Sequence, residues 1–367
     1  MYYVKYDCHL FSSIILLSAI LYGVQLFLVW TNQSIFDDKM SLICYLLPLI
    51  ITSGMIFLFF ISSKISDEFY SFIYLLIGLY LGYLLYAFQI SIIVRIIIIF
   101  VKNNELVMAL ILYITPLIIC IYGIINALIT KVERITLKYK GYKDRITILH
   151  LSDIHLGAIH QKNSVIKIVE EIKKLDPDIV VITGDMADGS LMVESEWIEP
   201  FDELEVPILY VTGNHEELNP EEEMIKVLEK TKIRYIGKCN NFQFKEVNFF
   251  GVDYGYNLRK VLAKEELKKD IPNILLSHVP EMKPDELKEY NIFLFLAGHT
   301  HGGQLFPLNI LAYLANACFY GLYSDSSKSH HVYVSQGVNN AVVPMRVGSS
   351  RIFALITIEG DDDKKNI

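Results

Sequence analysis

Five short apolar runs in the second half of this chain each lead into residues that can hold a metal ion. Ile146–Leu151 leads into Asp153 and His155, and Ile179–Thr183 into Gly184-Asp185. Ile208–Thr212 leads into Gly213-Asn214-His215, Ile274–Ser277 into His278, and Ile292–Ala297 into Gly298-His299-Thr300-His301. Runs of this length, rich in Ile, Val and Leu, read as buried strands. If several pair in one sheet, the polar residues at their ends collect along one edge, where open α/β sheets bind ligands. Five such endings that supply only Asp, Asn and His describe a site for two metal ions. Mixed imidazole and carboxylate donors without cysteine suit borderline divalent metals such as manganese, iron or zinc.

Between the strands the spacing turns helical. Lys162–Leu175 places Val165, Ile168, Val169 and Ile172 on one face, and Glu221–Lys230 and Lys283–Tyr290 read the same way. A hairpin is predicted at Phe242–Val252 with Asn248 in its turn, and the last strands at His331–Ser335 and Arg351–Ile358. Pattern alone gives an α/β class and no more.

The blocks Asp153-x-His155, Gly184-Asp185-x-x-Asp188, Gly213-Asn214-His215, His278 and Gly298-His299-x-His301 resemble, in order, the signature of the calcineurin-like metallophosphoesterases. The likeness covers residues 146–358, and the extended Gly298-His299-Thr300-His301-Gly302-Gly303-Gln304 is similar to the bacterial membrane-associated branch. The resemblance implies a four-layer β-sandwich of two mixed sheets flanked by helices. It implies Asp153, His155 and His301 at one ion, Asn214, His278 and His299 at the other, and Asp185 bridging them. A hydroxide held between the ions would be the nucleophile. His215 would then touch the substrate phosphate and serve the leaving oxygen, and Asp188 would orient this constellation. Many relatives have a Pro-Glu pair just before the last strand, where this chain has Ser349-Ser350-Arg351. That departure leaves the ligands intact and affects only the expected substrate contacts in that corner.

Other histidines carry plainer readings. His150 lies in the first strand and reads as a core residue or a support behind the ligands. His160, His330 and His331 sit near turns and read as solvent-facing, and His9 as interfacial. Arg346, in Pro344-x-Arg346-x-Gly348, could meet a phosphate or make a structural ion pair.

The first third of the chain is different in kind. Stretches 10–30, 42–61, 69–94 and 106–129 are apolar over spanning length, since a helix needs about 20 such residues to cross the hydrocarbon core. They make residues 1–130 a bundle of about four transmembrane helices, with Arg95 leaving open whether 95–101 belongs to the third. The mean hydropathy of +0.37 therefore averages a membrane region and a soluble one. Lys5, Lys64 and the basic segment 131–145 would lie on one side, against Lys39, Arg95 and Lys102 on the other. This excess places the catalytic region in the cytoplasm of a multi-pass cell-membrane protein. The segment 131–145 reads as a basic juxtamembrane linker that could also hold anionic headgroups, and 359–367 as an acidic, polar tail. A net charge of −8 gives no sign of nucleic-acid binding. Five cysteines without CxxC spacing fit a reducing compartment.

Residues Leu305–Tyr323 follow the His299/His301 block without a single charge. They could dip into the bilayer or line an acyl-chain groove, or pack on the protein's own spans. The leading expectation is a membrane-bound dinuclear-metal phosphoesterase acting on an ester or pyrophosphate of a phosphorylated lipid or lipid-linked substrate. The alternatives are a soluble substrate (a nucleotide, cyclic nucleotide or phosphoprotein) or a non-catalytic metal-binding scaffold.

Overall fold

A computed structural model describes residues 8–36, 42–61, 66–101, 104–218 and 221–361. The chain divides into two compact units, Met1–Gly123 and Ile124–Ile367.

The first unit is helical: α1 (Cys8–Phe36), α2 (Leu42–Ile61), α3 (Asp67–Phe100) and most of α4 (Glu105–Leu128). Three helices, Leu16–Phe36, Asp67–Phe100 and Glu105–Leu128, are long and apolar enough to cross a membrane, while the apolar stretch described in α2, Tyr45–Met55, is shorter. Arg95 does not interrupt α3, which runs unbroken for 34 residues. At 1.5 Å per residue it is about 51 Å long, well beyond a hydrocarbon core of about 30 Å. Arg95 lies over the Trp30 ring at 3.1 Å and donates to Ser34 Oγ at 2.9 Å, so an aromatic face and a hydroxyl accommodate its charge. The side chain of His9 lies outside the described residues.

Among the described residues the second unit holds twelve strands. The first five are β1 (Thr130–Tyr139), β2 (Arg145–Leu151), β3 (Ile179–Thr183), β4 (Ile208–Val211) and β5 (Ile233–Tyr235). They are followed by β6 (Asn240–Phe244), β7 (Val247–Gly251), β8 (Asn273–Leu276), β9 (Leu294–Ala297), β10 (Gly321–Ser324), β11 (His331–Val334) and β12 (Arg351–Gly360). They form two six-stranded mixed sheets in the orders β1-β12-β2-β3-β4-β5 and β10-β11-β9-β8-β7-β6. One face of each sheet contributes to a shared core: Ile146, Ile148, Val181 and Ile356 from the first pack with Val247, Phe249, Ile274 and Leu296 from the second. The other face of the first sheet packs under α5 (Lys162–Leu175), α6 (Ser195–Ile198) and α7 (Glu221–Leu228) through Val165, Ile168, Ile198 and Leu228. The other face of the second sheet packs under α8 (Leu258–Leu262) and α9 (Pro284–Leu287) through Leu258, Leu262 and Leu287. The last helix, α10 (Leu308–Ala315), has no buried residue.

Several expectations need correction. The segment 131–145 is not a linker for most of its length, because β1 pairs in parallel with β12 from Thr130↔Arg351 to Tyr139↔Gly360. Its basic residues obscured an alternation in which Ile135, Leu137 and Tyr139 join the shared core while Arg134, Thr136 and Lys138 stay exposed. Charge on the outer face is how an edge strand resists pairing with other chains. The final strand reaches Gly360, into the expected tail. The hairpin exists, but its turn is Lys245-Glu246, both with positive φ (46° and 56°), and Asn248 sits within β7 opposite Gln243. Two left-handed residues make the turn type that Asn-Gly usually signals. Here Asn248 instead bonds Asn241 and Asn273 across the sheet, each at 3.0 Å. His331 is buried rather than solvent-facing, with Nδ1 2.8 Å from Ser324 Oγ. His160 has its Nε2 sealed from solvent, while His330 is half-buried with Nδ1 2.7 Å from the Ile292 carbonyl.

Candidate metal centre

The predicted blocks follow the carboxyl ends of β2, β3 and β4 in one sheet and β8 and β9 in the other. Within each group the strands run parallel, so their ends deliver these loops to one edge. The backbone there is unusual. Asp153 (φ 56°), His155 (50°), Asp185 (52°), His299 (71°) and His301 (51°) all adopt the left-handed conformation. Asp, Asn and His tolerate it best among residues with a Cβ, but it still costs of order 1 kcal/mol or more per residue. Hydrogen bonds between the loops hold it: Asp153 N–H donates to the Gly184 carbonyl at 3.1 Å and His155 N–H to the Asp185 carbonyl at 2.9 Å. Gly184 (φ +87°) is required by both conformation and space, since a Cβ there would lie 2.6 Å from His278 Nδ1 and 2.8 Å from Gly213 Cα.

The side chains fall into two groups about Asp185. In the first, His155 Nε2 and His301 Nε2 are 3.0 Å apart. Asp153 Oδ1 lies 3.3 Å from His301 Nε2 and 3.9 Å from His155 Nε2, and Asp185 Oδ2 lies 3.8 Å from His155 Nε2. In the second, His278 Nε2 is 3.2 Å from the same Asp185 Oδ2 and 3.1 Å from Asn214 Oδ1. His299 Nδ1 approaches Asn214 Oδ1 at 2.8 Å. All seven predicted ligand residues are thus brought together, and Asp185 Oδ2 faces both groups.

These donors fit cations. His278 Nδ1 lies 2.8 Å from the Thr183 carbonyl, which can only accept, so Nδ1 carries a proton and Nε2 is the ring nitrogen left for a metal ion or a second proton. That nitrogen converges with Asp185 Oδ2 and Asn214 Oδ1, acceptors that call for a positive charge at this point. A ring fixed through its far nitrogen is also how metal-binding histidines are oriented. Burial first, with smaller contributions from neighbouring rings, pushes His155 down to about 3 and His299 to about 4, which keeps them as the neutral imidazoles a metal requires. Burial alone would raise Asp185, but the facing His278 and other rings hold it well below the usual carboxylate range. For His278 burial is the largest single influence and lowers it, but the Asp185 charge and hydrogen bond, with smaller help from Asp153 and the Thr183 carbonyl, together raise it. A proton on His278 and a cation between these groups answer the same excess of negative charge.

His215 and Asp188 meet in an unexpected way. His215 Nδ1 lies 3.0 Å from the Asp188 backbone carbonyl, so Nδ1–H donates there, while the Asp188 carboxylate accepts from Ser190 N–H at 2.7 Å and Ser190 Oγ–H at 2.5 Å. Asp188 therefore orients His215 through its main chain. The His215 N–H donates to Asp185 Oδ1 at 2.9 Å, and the ring stands edge-on to His155 at 4.7 Å.

Two residues organise the site in ways that the sequence did not indicate. Glu216 is buried and accepts from the backbone N–H groups of Asp185 (3.0 Å), Ala187 (3.0 Å) and Gly213 (2.6 Å), clamping the loops after β3 and β4 together. Its position one residue past His215 was the only available signal. Arg346 is fully buried and meets no carboxylate within ion-pair distance among the described residues. Its guanidinium donates instead to the carbonyls of Gln336 (2.8 Å), Asn339 (2.6 Å), His301 (3.3 Å) and Gly337 (3.3 Å), to Asn340 Oδ1 (2.9 Å) and to Ser349 Oγ (3.3 Å). Both readings of Arg346 are corrected: it braces the loops behind the site and has no donor left for a phosphate. His150 sits fully buried behind the ligands, with Nε2 2.7 Å from Thr183 Oγ1.

Comparison with known proteins agrees with this geometry. Residues 146–303 match the family described as calcineurin-like phosphoesterase. A Helicobacter pylori protein named as an uncharacterized metallophosphoesterase is 32% identical over 213 residues, 55% of this chain and 56% of its own length. Proteins named transmembrane protein with metallophosphoesterase domain, from Danio rerio and Bos taurus, are 30% and 31% identical, each over 63% of this chain and 58% of their own length. The chain thus spans little more than half the length of these relatives.

Because Asp185 Oδ2 faces both donor groups, Asp185→Ala is expected to lower the metal content of the purified protein more than Asp153→Ala or His278→Ala does. Elemental analysis of the three variants checks this. Wild-type metal content in Asp185→Ala would show that the two groups do not depend on a shared carboxylate.

Proposed function

We propose, from the premise that residues 146–303 form a calcineurin-like phosphoesterase domain, that this chain is a membrane-bound, metal-dependent phosphoesterase. The convergence of two lone-pair sets on one Asp185 oxygen carries the reading. Asp153, His155, His301 and Asp185 would hold one divalent ion, and Asn214, His278, His299 and Asp185 the other, with manganese, iron or zinc suited to the donors. When bound, such a pair supplies a nucleophile from water near neutral pH and offsets charge on phosphoryl oxygens.

The chain's own residues supply the rest. His215 is the proposed proton donor to the leaving oxygen. Its Nδ1–H is committed to the Asp188 carbonyl, which leaves Nε2 for substrate. Half-buried at the edge of the site, it can reach both substrate and solvent. Glu216 and Arg346 keep the ligand loops in place without touching substrate. His215→Ala is expected to retain metal and lose roughly 10²–10⁴-fold in turnover, the usual share of general acid–base catalysis. Loss of metal together with activity would instead make His215 a ligand or a structural residue.

The substrate we favour is an ester or pyrophosphate of a phosphorylated lipid or lipid-linked molecule. The chain continues from His301 into an uncharged segment whose Leu311 and Leu314 are 63% and 74% exposed. Exposed apolar side chains beside a phosphate site suit an acylated ligand. Leu311→Asp with Leu314→Asp is expected to cut turnover of an acylated phosphoester by about tenfold or more, because carboxylates among acyl chains cost several kcal/mol. Turnover of a small water-soluble phosphodiester should stay within about a few-fold, since no proposed ligand is altered. Unchanged turnover of both would favour the alternative of a soluble nucleotide or phosphoprotein substrate.

We further read the first unit as four spans, with α2 the fourth, and the catalytic unit as cytoplasmic. The basic residues of 131–145 support this orientation. A reporter fused after residue 367 should be active only in a form that works in the cytoplasm, and activity of a periplasmic or extracellular form would reverse the assignment.

A further inference from the structure

Helix α10 is tied to the candidate metal site at both ends. At its start, Gly303 (φ +73°) has no room for a side chain, because a Cβ there would lie 2.1 Å from Asn309 Cα. Just past its end, Thr300 Oγ donates to the Phe319 carbonyl at 2.6 Å. The helix is therefore fixed to the His299/His301 loop. Its base also rests on a second anchor, where Phe306 N–H donates to the Val347 carbonyl at 2.8 Å. That same 346–349 loop receives the side-chain amide of Asn126, which donates to the carbonyls of Arg346 (3.0 Å) and Ser349 (2.8 Å). Asn126 lies in the last turn of α4, which is long and apolar enough to cross a membrane, and belongs to the same compact unit as the sheets.

One loop thus joins the end of a candidate span to the base of an exposed apolar helix. The exposure is concentrated: Phe306 (48%), Ile310 (51%), Leu311 (63%), Tyr313 (62%), Leu314 (74%) and Tyr320 (45%) lie within 15 residues that include no charge. Eight residues make a helix about 12 Å long, too short to span a bilayer and long enough to lie in its surface. The two tyrosines are of the type that settles at the headgroup level.

We propose that α10, with Phe306 and Tyr320, is a membrane-inserting surface whose partner is the acyl–headgroup boundary of the bilayer, and that it holds the mouth of the metal site at headgroup depth. This inference deepens the lipid-substrate reading but rests on placement rather than catalysis. Because 305–323 is uncharged, insertion is driven by apolar burial and does not require anionic lipid.

The test uses the full chain in nanodiscs of phosphatidylcholine alone. A photoreactive benzoylphenylalanine replaces Leu311 or Leu314 in separate samples, and Met192, an exposed apolar residue elsewhere in the second unit, in a control. After irradiation, mass spectrometry should find phosphatidylcholine adducts at 311 and 314 in at least about tenfold excess over 192. Adducts to a second copy of the chain, adducts equal at all three positions, or none at 311 and 314 would each overturn the proposal. Lipid adducts in a protein that turns over only soluble substrates would leave this surface standing and overturn the substrate reading alone.

Discussion

The Asp185 carboxylate is the constraint on which the rest of the site depends. Its Oδ2 lies between the His155 and His278 rings, and its Oδ1 accepts the backbone N–H of His215. Its own N–H is held by Glu216, and its carbonyl accepts from His155. One residue therefore fixes both donor groups and the proposed proton donor, in a left-handed backbone that it would not adopt unaided. A buried carboxylate so surrounded would be costly without compensating positive charge. Cations are the compensation that this donor set is built to accept.

Strain and support are distributed in layers. Five of the proposed ligands take left-handed conformations, so the loops cannot relax to ordinary turns without dispersing the site. Glu216 ties the loops after β3 and β4 by their N–H groups, and Arg346 ties the His301 loop to segment 336–339 by their carbonyls. Neither touches the donor atoms, yet each satisfies backbone groups that burial would otherwise leave unpaired. The same loops lead outward to α10, so the chemistry and the apolar surface share one scaffold.

Much of this was legible in the sequence because strands with one environment write simple patterns. β3 and α5 coincide with their expected limits, since a fully buried strand and a one-faced helix each give a clean period. The seven proposed ligand residues stand out because each lies within a few residues of the end of such a strand. β1 was not, since its inward residues alternate with charges that read more naturally as a topology signal. Asn248 reads as a turn residue by type, and only its cross-sheet partners Asn241 and Asn273 explain it within a strand. Arg346 and Glu216 were obscure for a common reason. Their partners are mostly backbone carbonyls and N–H groups, and such groups carry no residue-type signal. His331 was misplaced because its hydroxyl partner, Ser324, comes from a neighbouring strand.

In the proposed site two cation positions share Asp185. Anomalous diffraction from crystals of the protein reconstituted with manganese would locate them. Two anomalous peaks per chain are expected, one among Asp153, His155 and His301 and one among Asn214, His278 and His299, with Asp185 contacting both. A single peak, or a pair of peaks that do not share Asp185, would contradict it.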